Sequence, residues 1–493
     1  MFQLTLEARR DIQGIITSAY GHLPDTTYVF FEIQDPAQAR RWLLEILPQI
    51  TTSESWRKTP EEPKRRPSTA LNIAFTIDGH RMLGLSKRAL NSFSREFGFG
   101  MVERAEVLGD TGPNDPQYWE FGCPQNRLHG ILLIFGQDEH TLDHWAAQQK
   151  GQIEAAGGIE ILSQQAGHRY ATLQEQFGFH DGISQPEIEG IRKQPSPGQT
   201  MLNTGEFILG YPDAYGCLPP TVGVPRDEDP ENILPPFPEQ SGWHDFGRHG
   251  TYLIFRKLEQ NVAGFWQFIQ KTVEEASDVV PTADPAAKEE AVTHLASKFV
   301  GRWRSGAPLV LAPEKDDPQL GADKTRNNDF SFMPPDPNGY VCPFAAHIRR
   351  ANPRDSLAKD PANESLETAN RHRILRRGIP YGRRLVASRV IDIHDDGEQR
   401  GLHFIALNSN IKRQFEFVQA QWVNNPQFNG LFDDKDPLVG NNDGSGNMTL
   451  ERELGRRTIP QIPRFLTTKG GGYFFVPSLT SLRFLAGASP QPE

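Results

Sequence analysis

The chain has 493 residues, more than one ordinary hydrophobic core accommodates, and this length predicts two domains. Hydrophobic residues make up 37% and charged residues 23%, a composition typical of a soluble globular protein with long polar connections. The formal net charge of −10 argues against a broad surface for nucleic acid or for an anionic membrane. We therefore expect neither class of partner.

The cysteines and the first residues bear on the cellular compartment. Cys123, Cys217 and Cys342 are widely spaced and form no CxxC pair, which excludes a disulfide scaffold or a zinc ribbon. The opening stretch MFQLTLEARRDIQG has no basic segment followed by an apolar run, and no apolar stretch approaches membrane-spanning length. These features predict a cytoplasmic location.

The chain contains an internal repeat. Residues 27–46 (TYVFFEIQDPAQARRWLLEI) and 251–270 (TYLIFRKLEQNVAGFWQFIQ) align without a gap. The alignment pairs Tyr28 with Tyr252, Phe31 with Phe255, Asp35 with Glu259, and Trp42 with Trp266. Each copy opens with residues that favour a strand and continues with helical spacing.

A second pair of similar segments follows in the same order. LHGILLIFGQDEHTLDHW (128–145) resembles LHFIALNSNIKRQFEFVQAQW (402–422), in each case an apolar run followed by an amphipathic helix. This order predicts a duplicated α+β fold with an antiparallel sheet and helices on one face. Residues 211–250, rich in proline, glycine and aspartate, are typical of a linker or a long surface excursion between the halves.

The stretch FGFHDGISQP (177–186) places two groups able to move protons on one turn. His180 and Asp181 lie between Gly178 and Gly182, and an aspartate before a glycine is first of all a turn former. A carboxylate here is also a candidate for acid–base catalysis. The ten residues alone leave both interpretations open.

Two further stretches present single functional side chains. In CPFAAHIRRANPR (342–354), His347 follows an apolar turn, which suits an axial haem ligand or a partly buried structural histidine, with Cys342 as an alternative thiolate ligand. In RHRILRRGIPYGRR (371–384), Arg376 and Arg377 follow apolar residues. One guanidinium there suits a pocket in which negative charge develops on a bound oxygen, and a solvated basic face is the alternative.

These three stretches, in this order, resemble the dye-decolorising peroxidases, a haem family. GFHDG is similar to the family's GxxDG motif on the distal side of the haem. CPFAAHIRRANPR is similar to the segment that carries the proximal histidine, and ILRRGIPYG to the segment of the distal arginine. The resemblance runs from about residue 25 to residue 480 and is closest to the larger, mostly cytoplasmic bacterial branch.

The resemblance implies a fold of two ferredoxin-like halves that form a dimeric α+β barrel. We place an N-terminal ferredoxin-like domain, which carries the GxxDG motif, at residues 1–212. A C-terminal ferredoxin-like domain at residues 213–493 carries the proximal histidine and most of the haem pocket. The implied cofactor is one haem b per chain.

The resemblance also implies roles for individual residues. His347 becomes the axial ligand of the haem iron, Asp181 the distal proton shuttle and Arg376 the distal arginine that stabilises charge on the separating peroxide oxygens.

Three further residues complete the expected cofactor site. Gly182 lets the backbone approach the flat cofactor, and Arg349 pairs with a haem propionate. Glu416 supplies the carboxylate on the far ring nitrogen of the proximal histidine.

The implied reaction reduces hydrogen peroxide to water and oxidises bulky dyes, phenolics or other organic reductants in single-electron steps. A haem-binding, transfer or storage protein without peroxidase turnover is the alternative, since haem ligation alone does not guarantee catalysis. A homo-oligomer is compatible with the resemblance.

Overall fold

The central sheet is built from nine antiparallel strands, in a computed structural model that describes residues 3–54, 66–192, 194–238, 240–275, 284–357 and 362–487. Several strands are apolar along their whole length because both faces of the sheet are covered. The strands are β1 (Asp25–Ile33), β2 (Thr69–Phe75), β3 (Gly130–Gly136), β4 (Ile159–His168), β5 (Thr251–Gln260), β6 (Leu375–Arg376), β7 (Ile379–Tyr381), β8 (Gly401–Asn408) and β9 (Leu466–Val476).

Helices and short strand pairs complete the described chain. The helices named below are α1 (Pro36–Ile46), α2 (Glu139–Ala156), α3 (Val262–Glu275), α4 (Pro285–Val300), α5 (His347–Ala351) and α6 (Leu479–Ala486). Shorter α-helices span Leu6–Asp11, Gly14–Thr17, Ile77–Met82, Lys87–Leu90, Arg95–Glu103, Ala105–Leu108, Pro318–Ala322 and Ala362–Asn370, and π-helical turns span Lys412–Glu416 and Val418–Val423. Small strand pairs are Glu187–Ile188 with Met201–Leu202, Gly223–Pro225 with Trp243–Asp245, and Met448–Arg452 with Gly455–Ile459.

The strand order reveals the duplication. The sheet runs β6–β8–β5–β9–β2–β3–β1–β4, and β7 also pairs with β8. Each half therefore places its first strand between its third and its last, which is the antiparallel order of a ferredoxin-like unit. The halves join where Phe475 of β9 pairs with Phe75 of β2. The duplicated α+β fold predicted from the repeats is confirmed.

Side chains alternate between two packed faces of the sheet. In β1, Phe31 packs against Trp42 of α1, whereas Tyr28 and Phe30 lie on the opposite face and contact Phe255 of β5. Strands β1 and β5 are not neighbours in the sheet, so the sheet curves to bring them together inside a barrel. The outer strands also approach each other, with Gly167 of β4 beside the β7 backbone.

The two equivalent tryptophans differ in the hydrogen bonding of their indole groups, and stability measurements can test this difference. Both are buried, but the indole N–H of Trp42 has no hydrogen-bond partner among the described residues, whereas Trp266 donates to the Phe177 carbonyl at 3.2 Å. Tryptophan-to-phenylalanine changes remove the same volume at both positions. We expect Trp266→Phe to lower the free energy of unfolding by about 1 kcal/mol more than Trp42→Phe, because only it leaves a buried carbonyl unpaired. Urea denaturation measures the free energy of unfolding of both variants. Equal decreases would contradict a stabilising role for the hydrogen bond between Trp266 and the Phe177 carbonyl.

Candidate functional site

A cavity of about 300 Å³ opens beside the C-terminal half of the sheet. Leu258 of β5 and Phe404 of β8 form apolar parts of its wall, and the volume is that of a small-molecule or cofactor site. The segments that sequence analysis singled out meet here. Polar and glycine residues from them that line the cavity include His180, Asp181, Gly182, His347, Arg354, Arg373 and Arg376.

The loop that carries Asp181 is fixed by its own backbone and by a buried carboxylate. Gly178 and Gly182 adopt φ angles of 93° and 79°, which a residue with a side chain rarely adopts. Glu175 accepts hydrogen bonds from the Phe177 and Phe179 amides at 2.8 and 2.9 Å. The Asp181 amide donates to the Leu173 carbonyl. The two glycines therefore let the backbone bend on either side of Asp181, whose side chain lines the cavity.

Glu175 is a site residue that sequence reasoning missed. Its carboxylate lines the cavity and also accepts a hydrogen bond from Gln260 of β5 at 2.7 Å, so it ties the loop to the sheet. The only sequence signal is an acidic residue shortly before the GxxDG motif, which by itself does not distinguish a buried anchor from a solvated surface group.

Asp181 and Arg376 form an ion pair inside the cavity. Arg376 Nη1 donates to Asp181 Oδ1 at 2.9 Å, and the Gly182 amide donates to the same oxygen at 2.6 Å. Their side chains keep 36% and 31% of their surface free, and both face the cavity. Burial alone raises the pKa of Asp181, but the Arg376 charge and these hydrogen bonds outweigh it and lower the pKa overall.

The two neighbouring arginines, the last residue of β6 and the residue that follows it, point in different directions. Arg376 Nη2 donates to the Ser184 carbonyl at the cavity wall. Arg377 instead donates to the carbonyls of Ile15 and Ile16, away from the cavity. Only the first arginine of the pair therefore lines the cavity.

His347 is the imidazole that faces the cavity from the C-terminal half. It is the first residue of α5, and its Nδ1 lies 2.8 Å from Asp436 Oδ2. Burial alone lowers the pKa of His347, but the Asp436 charge and hydrogen bond outweigh it and raise the pKa overall. This contact assigns a proton to Nδ1 and leaves Nε2 as the free ring nitrogen.

The carboxylate beside His347 is Asp436, and the expectation of Glu416 is wrong. Asp436 is fully buried, and its second oxygen accepts hydrogen bonds from the Leu438 and Val439 amides at 2.9 and 3.0 Å. These amides hold the carboxylate rigidly towards the imidazole. Sequence offers only an aspartate before proline, a common loop pattern, as a signal for it.

Glu416 serves a structural contact elsewhere. It accepts hydrogen bonds from Arg104 Nε and Nη2 at 2.9 and 2.6 Å and from the Tyr473 hydroxyl at 3.1 Å. Because both of its oxygens are occupied by this N-terminal arginine and by β9, the side chain joins the two halves and does not reach His347.

Arg349 does not face the cavity, which corrects the expectation of a propionate contact. Its side chain is fully buried and donates to Asp336 Oδ2 at 2.9 Å and to the Cys342 carbonyl at 2.7 Å. It therefore braces the segment before α5. The alternative ligand, Cys342, is buried outside the cavity lining, and burial raises the pKa of its thiol to about 12.

The residues present are compatible with haem. No three histidine, cysteine, aspartate or glutamate side chains converge on one point within the described ranges. A haem macrocycle brings its own ligands for the iron and needs from the protein one imidazole nitrogen and apolar walls. His347, Leu258 and Phe404 supply these features. In the same part of the chain, no helix combines the length and apolarity that a membrane crossing requires.

Comparisons with known proteins point to one family. The model of the DyP dimeric alpha+beta barrel domain matches residues 11–168. A dye-decolorizing peroxidase of Mycena epipterygia is 31% identical, over 94% of this chain and 84% of its own. Multifunctional dye peroxidase DyP2 of an Amycolatopsis species is 30% identical, over 93% of this chain and 92% of its own. The narrower expectation of a bacterial branch is not confirmed by these relatives.

Solved structures agree with the sequence relatives. The structure of an ancestral D-type dye-decolorizing peroxidase is 30% identical, with a TM-score of 0.76 over 96% of this chain and 98% of that chain. A dye-decolorizing peroxidase in complex with 2,6-dimethoxyphenol is 26% identical, with a TM-score of 0.76 over 97% and 99%. Since the similarity in sequence and in structure spans nearly the whole chain, the chain belongs to the dye-decolorising peroxidase family.

Proposed function

We propose that this peroxidase holds one haem b per chain at His347 and reduces hydrogen peroxide beside the Asp181–Arg376 pair. The observation that carries the proposal is that an ionised carboxylate, a guanidinium and a carboxylate-bound imidazole line one cavity.

We also propose the division into domains at residues 1–212 and 213–493. Asp181 then comes from the first domain, and His347 and Arg376 from the second.

Asp181 is positioned to move a proton. Haem held at His347 would supply the iron and the two electrons that cleavage of the O–O bond of peroxide requires. An ionised Asp181 takes the proton from the inner peroxide oxygen and returns it to the outer oxygen, which leaves as water. A carboxylate with a lowered pKa remains a base in acid, where an imidazole is already protonated.

Arg376 has two tasks in this scheme. Its charge keeps Asp181 ionised, and its remaining N–H groups stabilise negative charge on the separating oxygens. A guanidinium suits both tasks because it carries a delocalised positive charge and its planar donors have a fixed geometry.

His347 and Asp436 form the other side of the site. The hydrogen bond from Nδ1 to Asp436 fixes the orientation of the imidazole and makes Nε2 a more basic ligand. The two amides on the second Asp436 oxygen prevent the carboxylate from turning away.

Organic reductants are the proposed electron donors. A related solved structure carries 2,6-dimethoxyphenol, and we extend phenolics and bulky dyes to this chain on that basis.

Removal of either distal group should slow the reaction with peroxide. We expect Asp181→Asn and Arg376→Gln to lower the rate by about 10²- to 10⁴-fold while haem content stays unchanged. Stopped-flow absorbance after mixing with peroxide measures the rate. Matched controls are Asp227→Asn, an exposed aspartate, and Arg384→Gln, an arginine outside the cavity lining, and both should react like the wild type.

Two outcomes would contradict this assignment. Wild-type rates in both distal variants would remove Asp181 and Arg376 from the reaction. A wild-type protein that takes up haem but reacts with peroxide no faster than free haem would be a haem-binding or transfer protein.

The pH profile tests the coupling between the two distal residues. The active form of Asp181 is the base, which exists above its pKa, and Arg376 lowers that pKa. Arg376→Gln should therefore raise the pKa of Asp181. As the pH falls, the variant should lose its rate of reaction with peroxide at a higher pH than the wild type does. Arg376→Lys keeps the charge and should shift the acid limb less. Peroxide reaction rates across the acid range measure the limb, and identical limbs in the wild type and both variants would contradict the coupling.

The proximal carboxylate gives a test that is independent of turnover. Asp436→Asn should weaken haem retention by about 10- to 100-fold and raise the midpoint potential, because the imidazole becomes a weaker donor. His347→Ala should lose the axial ligand altogether. Glu416→Gln is the control, and its haem spectrum and potential should match the wild type. The assignment fails if Glu416→Gln, and not Asp436→Asn, changes the potential.

A further inference from the structure

The cavity carries more positive than negative charge. Three carboxylates lie among its lining residues, namely Asp110, Glu175 and Asp181. Five arginines line the same cavity, namely Arg256, Arg302, Arg354, Arg373 and Arg376. The lining therefore has a formal excess of two positive charges, although the whole chain has a net charge of −10.

Two of these arginines are neutralised inside the protein. Arg256 pairs with the buried Asp110 through two hydrogen bonds, and Arg376 pairs with Asp181. The other three, which we call the arginine group (Arg302, Arg354 and Arg373), make no ion pair with any carboxylate in the described ranges.

The hydrogen bonds of the arginine group go to neutral atoms. Arg302 donates to the Gly306 carbonyl at 2.9 Å, and Arg354 donates to the Asn328 carbonyl at 3.1 Å. Both guanidinium groups also donate to Asn328 Oδ1, at 3.0 and 2.6 Å, so they lie side by side. This arrangement holds two like charges together with only dipoles to offset them.

Arg373 is the least satisfied member of the group. Its side chain is buried, with 9% of the residue surface exposed, and its one side-chain hydrogen bond to the described protein is a 3.4 Å contact with Ser184 Oγ. The Arg376 side chain donates to the carbonyl of the same serine, which places Arg373 next to the distal pair. The remaining N–H groups of Arg373 are therefore available to a molecule in the cavity.

Uncompensated buried cations are unfavourable, and their pKa values reflect it. Burial, together with the charges of neighbouring arginines, lowers the pKa of Arg373 and of Arg354 to about 9. A cation in this position gains most from an anion that brings its own negative charge. Carboxylates match the planar donors of arginine.

We propose that the arginine group is the subsite for the carboxylates of the haem propionates, with Arg373 as the principal contact. The inference rests on the proposed haem site and adds which residues hold the polar edge of the cofactor. Haem b carries two propionates, and the cavity carries an excess of two positive charges. Arg349, which is occupied by Asp336, is not needed for this contact.

The test compares haem with haem dimethyl ester, in which both carboxylates are masked. Each is titrated into the full-length chain freed of haem, and the Soret absorbance gives the affinity. We expect the wild type to bind the ester about tenfold more weakly or worse, since charge-assisted hydrogen bonds are lost. Arg373→Gln should weaken haem binding by a similar factor and leave ester binding unchanged. Arg384→Gln, the control, should behave like the wild type.

Several outcomes would overturn the proposal. Equal affinity of the wild type for haem and for its ester would overturn the proposal and leave the proposed haem site intact. This comparison is valid even if Arg373→Gln fails to fold. If neither form binds, the proposed function falls as well. Titration of the holoprotein with benzoate tests whether the arginine group binds a free carboxylate instead of the haem propionates. Benzoate binding that depends on Arg373, together with equal binding of haem and ester, would assign the group to an anionic substrate.

Discussion

The continuous pairing of antiparallel strands determines where each cavity residue lies. In β5, Leu258 and Gln260 face the cavity, whereas Phe255 faces the interior of the barrel. The register with β8 then places Phe404 beside the same cavity. A slip of one residue would exchange the two faces and bury the wrong side chains. Because each strand is covered on both sides, hydrophobic burial enforces this register.

Upon this framework, the site is assembled from loops that are locked by buried polar contacts. Glu175 holds the distal loop through two amides and a glutamine, and Asp436 is held by two amides before it contacts His347. Each carboxylate is satisfied by several donors, which makes its position rigid. The arginine group is different, since its charge is not balanced within the protein. That imbalance marks where the structure is complementary to an anion.

Sequence patterns predicted the elements whose signals are local. The repeat of a strand followed by a helix identified the duplicated fold, and both Trp42 and Trp266 are buried in equivalent helices. The three motifs identified Asp181, His347 and Arg376, which line one cavity. Partners of these residues were not predictable in the same way. Asp436 lies 89 positions from His347, in a loop without periodicity, whereas Glu416, which lies in a recognisable stretch, contacts Arg104 and Tyr473.

The sequence by itself determined the duplicated α+β architecture, the family and the three side chains with distinctive local motifs. These properties follow from periodicity and short motifs, which can be recognised without knowledge of distant contacts. Only the tertiary structure decided that Asp436 supports His347, that Arg349 is buried against Asp336, and that Arg373 is left without a counter-charge. The physical reason is that charge pairing depends on distances of a few ångströms between residues far apart in the chain, and folding alone sets those distances.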